Sequence, residues 1–234
     1  MNSKYRRILI WGLNGTYFYK DKNQRSQFVD LFSTLLIDKY KIDLSKEKIK
    51  EMTVSAYRNE SDFTMPFVTE FGLNKEEIKE ELYKKIPIDD IEFDNAKDLL
   101  HSFSQEQYIL TDISKYWAEK LLKKLGLYEF FHDRVYYHDD FIKDGCNSEK
   151  EIYEALCNEL FVKPQDCILV EDINYKLKHA KNMGFHTVKI SISEMDYGNE
   201  IYYDESYKTI KEYIEKTIWL FANASFNFIV GICI

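Results

Sequence analysis

The chain has no surplus of basic charge, no paired-cysteine motif and no leader-like apolar run at its start. Lys and Arg number 32 against 40 Asp and Glu, a formal net charge of −8. That excludes the concentrated basic surface a nucleic-acid binder needs to neutralise phosphates. The four cysteines, Cys146, Cys157, Cys167 and Cys233, show no CxxC spacing, and with the five scattered histidines they form no zinc pattern. Reduced thiols in a cytoplasmic protein are the expectation. Two arginines precede the first apolar run, which is too short for a signal-peptide h-region. No stretch is low-complexity, and no internal repeat is found. What remains, 45% hydrophobic and 31% charged residues over 234 positions, suits one soluble domain with a real core, or a core with a smaller inserted domain.

Two rhythms divide the chain. Residues 7–11 (RILIW) read as a buried strand, because the apolar residues are consecutive and turn residues follow. From about Gln24 to Phe103 the pattern is helical. Phe28, Leu31, Phe32, Leu35 and Leu36 recur on one face, Asn74 and Glu77 form a capping box ahead of Ile78 and Leu82, and Pro66 and Pro87 punctuate without alternation. After that, strands at 108–111, 134–138, 167–171 and 186–190 alternate with helices opened by Ser114, by Ser148 with Glu151, and by Asn174 as cap. Gly126 and Gly184 close two of these helices. The alternation predicts an α/β fold: a doubly wound parallel sheet with the first strand central, and a helical insert over its carboxyl edge. Ligands gather at that edge, here Gly12-Leu13-Asn14, Thr111-Asp112, the loop after His138, and Glu171-Asp172.

The order of these features resembles the haloacid dehalogenase-like (HAD) superfamily of phosphohydrolases. The likeness covers roughly residues 6–190 and is strongest in "AKDLLHSFSQEQYILTDISKYWAEKLLKKLGLYEFF" and "EIYEALCNELFVKPQDCILVEDINYKLKHAKNMGFHTVKI". It implies a Rossmann-like core at 1–16 and 104–200, a helical cap at 17–103, and a C-terminal extension at 201–234. The family's first motif, Asp-x-Asp-Gly-Thr, supplies a nucleophile and a proton donor around magnesium. Here the five residues are Gly12-Leu13-Asn14-Gly15-Thr16, so the turn-shaping Gly-Thr is kept and both reacting carboxylates are missing. Thr111 matches the hydroxyl that holds a phosphoryl oxygen. Lys143, in a loop, is the candidate for the phosphate-neutralising lysine; simple spacing puts Asn147 there, and Lys150 is an alternative. Glu171 and Asp172 match the metal-binding acids, Asp172 being the stronger ligand. The family's next acid falls at or near Lys176 and is lost.

The resemblance therefore implies a catalytically impaired protein with Gly12 and Asn14 at the degenerate positions. It would require no cofactor, bind magnesium weakly through Asp172 and Glu171, and hold a phosphorylated small molecule through Thr111 and Lys143. Two alternatives stay open: an active phosphohydrolase on a small metabolite, and a non-catalytic module that meets a protein partner or its own copy through the cap or tail. The tail, "TIWLFANASFNFIVGICI", approaches the ~20 apolar residues that span a bilayer. Asn223, Ser225 and Asn227 weaken that reading, leaving a membrane anchor, a packing or oligomer segment, or an unstructured accident of translation.

Overall fold

A computed structural model describes residues 8–13, 22–58, 62–86, 88, 100, 101, 103, 105–190 and 201–217. Asn14, Gly15 and Thr16 lie outside the described residues, as does the tail beyond Thr217.

Six strands form one wholly parallel sheet: β1 (Ile8–Trp11), β2 (Gln107–Thr111), β3 (Val135–Tyr137), β4 (Cys167–Glu171), β5 (His186–Ile190) and β6 (Glu205–Tyr207). The order is β3-β2-β1-β4-β5-β6, which puts β1 inside the sheet, as expected. Side chains of successive strand residues point to opposite faces, and two apolar layers result. Leu9, Trp11, Ile109, Val170 and Val188 pack against α5 (Lys115–Leu125) through Trp117, Leu121 and Leu122. Ile8, Ile10, Leu110 and Leu169 pack on the other side against α8 (Glu149–Glu159) and α9 (Asn174–Met183) through Ile152, Leu156 and Leu177.

Between β1 and β2 lies a separate helical core of α1 (Lys22–Asp38), α2 (Lys46–Arg58), α3 (Met65–Phe71) and α4 (Lys75–Lys85). Phe32, Leu35 and Leu36 meet Phe63, Phe67, Ile78 and Leu82 there, with Phe28 and Leu31 packed against them. The caps behave as their sequences require. The side chains of Asn74, Ser114 and Ser148 accept the amides of Glu77, Trp117 and Glu151, and Gly126 and Gly184 end their helices at φ 70° and 99°. At such positive φ a residue without Cβ avoids the left-handed penalty.

Two local expectations are corrected. After the one-turn α6 (Tyr128–Phe131) and β3, His138 is not the last residue of the strand; it opens the short α7 (His138–Lys143), so Lys143 ends a helix instead of sitting in a loop. Asn174 is the first residue of α9 and not its cap, a position held by Ile173. Its amide oxygen instead accepts from Lys189. Residues 201–217 add β6 and a helical segment at 210–217 whose Ile210, Tyr213 and Ile214 join the first apolar layer. Side-chain bonds tie β6 and the residue before it to β5: His186 with Glu205, and Thr187 with Asp204.

Candidate functional site

Strand β1 delivers no charge to the carboxyl edge. The Gly12 amide donates to the Val170 carbonyl at 2.8 Å, tying the end of β1 to β4, and Leu13 beyond it is buried. Strand β2 ends in Thr111, also buried, whose hydroxyl accepts the Ile113 amide at 3.4 Å. Strand β4 ends in buried Glu171. Its Oε1 accepts the amides of Asp172 and Ile173 at 2.8 and 3.2 Å.

The carboxyl edge also carries two buried lysines to which the motif comparison gives no part as cations. Lys176 lies on the inward stripe of α9 with Leu177 and Ala180 and is 3% exposed. Its Nζ is 3.3 Å from Asp112 Oδ2 and 4.0 Å from Glu171 Oε2. From the helical insert, Lys79 is 1% exposed, 2.6 Å from Asp62 Oδ2, and donates to the Asp112 carbonyl at 2.8 Å. Lys75 joins Asp139 at 2.8 Å and Asp62 at 3.7 Å. The insert thus stands over the carboxyl edge of the sheet. Beside it, His138 Nε2 meets Glu149 Oε2 at 3.1 Å, while His138 Nδ1 is buried with no hydrogen-bond partner among the described residues.

Of the residues marked from sequence, Gly12, Thr111, Glu171 and Asp172 come to this edge. Lys143 is 62% exposed and 3.6 Å from Glu76 of the insert. Asn147 bonds only locally among the contacts seen here, to Gly145 and Glu151, and Lys150 pairs with Glu154 along α8. A signal for the missed lysines does exist. Lys79 and Lys176 occupy positions of an inward helical stripe that an apolar side chain would normally fill.

Burial and pairing set opposing proton affinities. Burial pushes the Asp112 carboxyl up, but Lys176, Lys79 and His138 outweigh it and hold it far below the usual range. Burial likewise opposes, and lysines or His138 overcome, at Asp62 and Glu149. Glu171 goes the other way: burial, reinforced by Asp172, carries it well above the carboxylate range despite Lys176. Burial would lower Lys176, yet Asp112 and Glu171 raise it.

A depressed carboxylate contributes stability that is present above its unfolded pKa, about 4, and is lost as pH falls through the folded value. Asp112, Asp62 and Glu149 act in this sense. Glu171 opposes them, since its contribution is present below about 4.3 and lost as pH rises through its folded value. At this site the depressed carboxylates outnumber Glu171, and Asp204 is depressed as well, so the melting temperature should fall steeply below about pH 4. Glu171→Gln should remove the loss on the alkaline side. Melting curves that stay flat to about pH 3 would contradict the assignment.

Comparison with known proteins places this geometry. A family model described as haloacid dehalogenase-like hydrolase matches residues 23–184. Among solved structures, a HAD hydrolase of family IA, variant 3, from Entamoeba histolytica has a TM-score of 0.64 at 18% identity, over 88% of this chain and 94% of its own. A conserved haloacid dehalogenase-like protein of unknown function from Agrobacterium tumefaciens gives 0.62 at 15%, over 93% and 99%. The putative HAD-hydrolase YfnB from Bacillus subtilis, solved bound to magnesium, gives 0.61 at 16%, over 91% and 98%. No curated protein matches significantly in sequence.

Proposed function

This chain belongs to the haloacid dehalogenase-like hydrolase family, and we propose that it is a non-hydrolytic member that holds a small phosphorylated ligand without turning it over. The observation that carries the reading is the end of β1. Gly12 has no side chain and Leu13 is buried, so no nucleophile leaves the strand where the family's attacking carboxylate stands. In a serine protease, loss of the nucleophile costs roughly 10⁶-fold in turnover, and position 12 itself offers no side chain to replace it.

The binding half rests on Thr111 and on two buried ammonium groups that both reach Asp112, the residue after it. A phosphate must compete with the Asp112 carboxylate for Lys176 and with the Asp62 carboxylate for Lys79, so affinity of about 1 mM is expected, or −4 kcal/mol. Lys143 is a lesser contributor, because an exposed ion pair is worth about 0–1 kcal/mol.

Phosphate release from sugar phosphates, nucleotides and p-nitrophenyl phosphate, with magnesium present, should equal the buffer rate. Orthophosphate titration should show weak binding that Thr111→Val diminishes and that Lys143→Ala changes by less than about fivefold. Turnover by the parent protein would refute the non-hydrolytic reading. Absence of binding at about 10 mM phosphate would refute the ligand.

A further inference from the structure

Magnesium is the metal of this family's chemistry, and the residues present do not suit it. The ion takes near-octahedral oxygen ligands, commonly one or two carboxylates with waters and substrate phosphate. Of the two acids matching the metal motif, Glu171 has Oε1 committed to two backbone amides and Oε2 4.0 Å from an ammonium group. Position 12 offers no oxygen from a side chain, and Lys176 stands at or near the place of the family's further acid. Among the described residues no group of three His, Cys, Asp or Glu is arranged to hold a metal.

We propose that the Lys176 ammonium is a tethered cation that replaces the divalent metal, neutralising the acids at the ends of β2 and β4 so that the crevice keeps its shape in metal-free solution. Three observations support this. The ammonium lies between Asp112 and Glu171, which follow or end two different strands of the sheet. It is almost wholly buried, so it is no surface lysine folded inward by chance. Its stem comes from the stripe of α9 that packs on the sheet, and the Tyr153 hydroxyl donates to the Lys176 carbonyl at 3.3 Å, fixing the helix at that turn.

One ammonium reaches both carboxylates, at 3.3 Å and 4.0 Å, where magnesium would need six oxygens at about 2.0–2.1 Å. A covalently held cation also cannot dissociate, and the site becomes independent of metal supply.

The inference rests on the non-hydrolytic reading but fails separately from it. Turnover tests the reading; metal response without turnover tests the inference. The experiment compares melting of the full chain and of two variants in about 10 mM MgCl₂ and in KCl of equal ionic strength. Lys176→Asn leaves space and oxygen ligands beside Asp112 and Glu171; Lys176→Met fills the space with an apolar chain. For a millimolar site, magnesium should favour the folded state of Lys176→Asn about tenfold and raise its melting temperature by about 3 °C or more. The parent and Lys176→Met should not respond beyond the KCl control. Should Lys176→Asn fail to fold alone, refolding yield is the readout, and magnesium but not KCl should restore it. A parent response equal to that of Lys176→Asn, or no magnesium-specific effect on that variant in either readout, would overturn the proposal.

Discussion

Gly12→Asp combined with Asn14→Asp should leave phosphatase turnover at background, and adding Lys176→Asp should raise it about 10²-fold or more above the double variant. The double variant restores the nucleophile and the proton donor in the first motif. It also places a new carboxylate at the edge where Lys176 already stands between Asp112 and Glu171. An ammonium group stabilises the ground-state carboxylate it pairs with, which lowers the reactivity of any nucleophile it reaches. The third change removes that cation and supplies an acid at or near the position where the family has one. A metal's stabilisation of developing charge is worth several kcal/mol, and each 1.36 kcal/mol is tenfold in rate. Initial rates on p-nitrophenyl phosphate with magnesium check this. A double variant as active as the triple would mean that Lys176 is no obstacle.

What the sequence disclosed was local, and what it hid was long-range. Gly126 and Gly184 announce helix ends, and Ser114, Ser148 and Asn74 announce helix starts, because each cap is decided within a few residues. The core strands show as apolar runs because both faces of a parallel sheet are covered. The vacant nucleophile position was equally legible, since Gly12 follows a strand and brackets a turn with Gly15. By contrast, Lys176 and Asp112 are 64 positions apart, and no periodicity couples them. From motif spacing Lys176 reads only as a missing acid; its burial reveals it as a cation in its own right. Strand β6 is three residues long with no alternation to betray it. It depends on pairs such as His186 with Glu205, which form only once β5 is in place. His138 reads as a strand residue because β-branched and aromatic neighbours precede it, yet its ring finds Glu149 eleven residues on.

Lys79→Met should cost about 3–5 kcal/mol, lowering the melting temperature by roughly 6–20 °C for a chain of this size. The methionine keeps most of the buried stem, so little packing is lost and the effect reports the charge. Removing the ammonium leaves Asp62 with Lys75 at 3.7 Å as its other lysine, and deprives the Asp112 carbonyl of a 2.8 Å donor. Asp62 cannot simply turn to water, because its Oδ1 also accepts the Thr64 amide and hydroxyl at 2.9 and 2.6 Å. A buried carboxylate stripped of its partner is the costly case, whereas a neutral pair in the same space is not. Lys79→Met with Asp62→Asn should therefore recover most of the loss, since the amide oxygen can still serve Thr64. The same substitution tests how the insert is held over the sheet. Lys79 and Lys75 link it to Asp112 and Asp139 in the core, and buried or partly buried links of this kind are screened less by salt than exposed pairs. In Lys79→Met, hydrogen exchange should quicken in α4 and at residues 111–113 ahead of the rest of the sheet. If Lys79→Met melts within about 1 kcal/mol of the parent, the ammonium is not what fastens the insert, and apolar contacts such as the Tyr83–Trp117 stack at 5.6 Å carry that role.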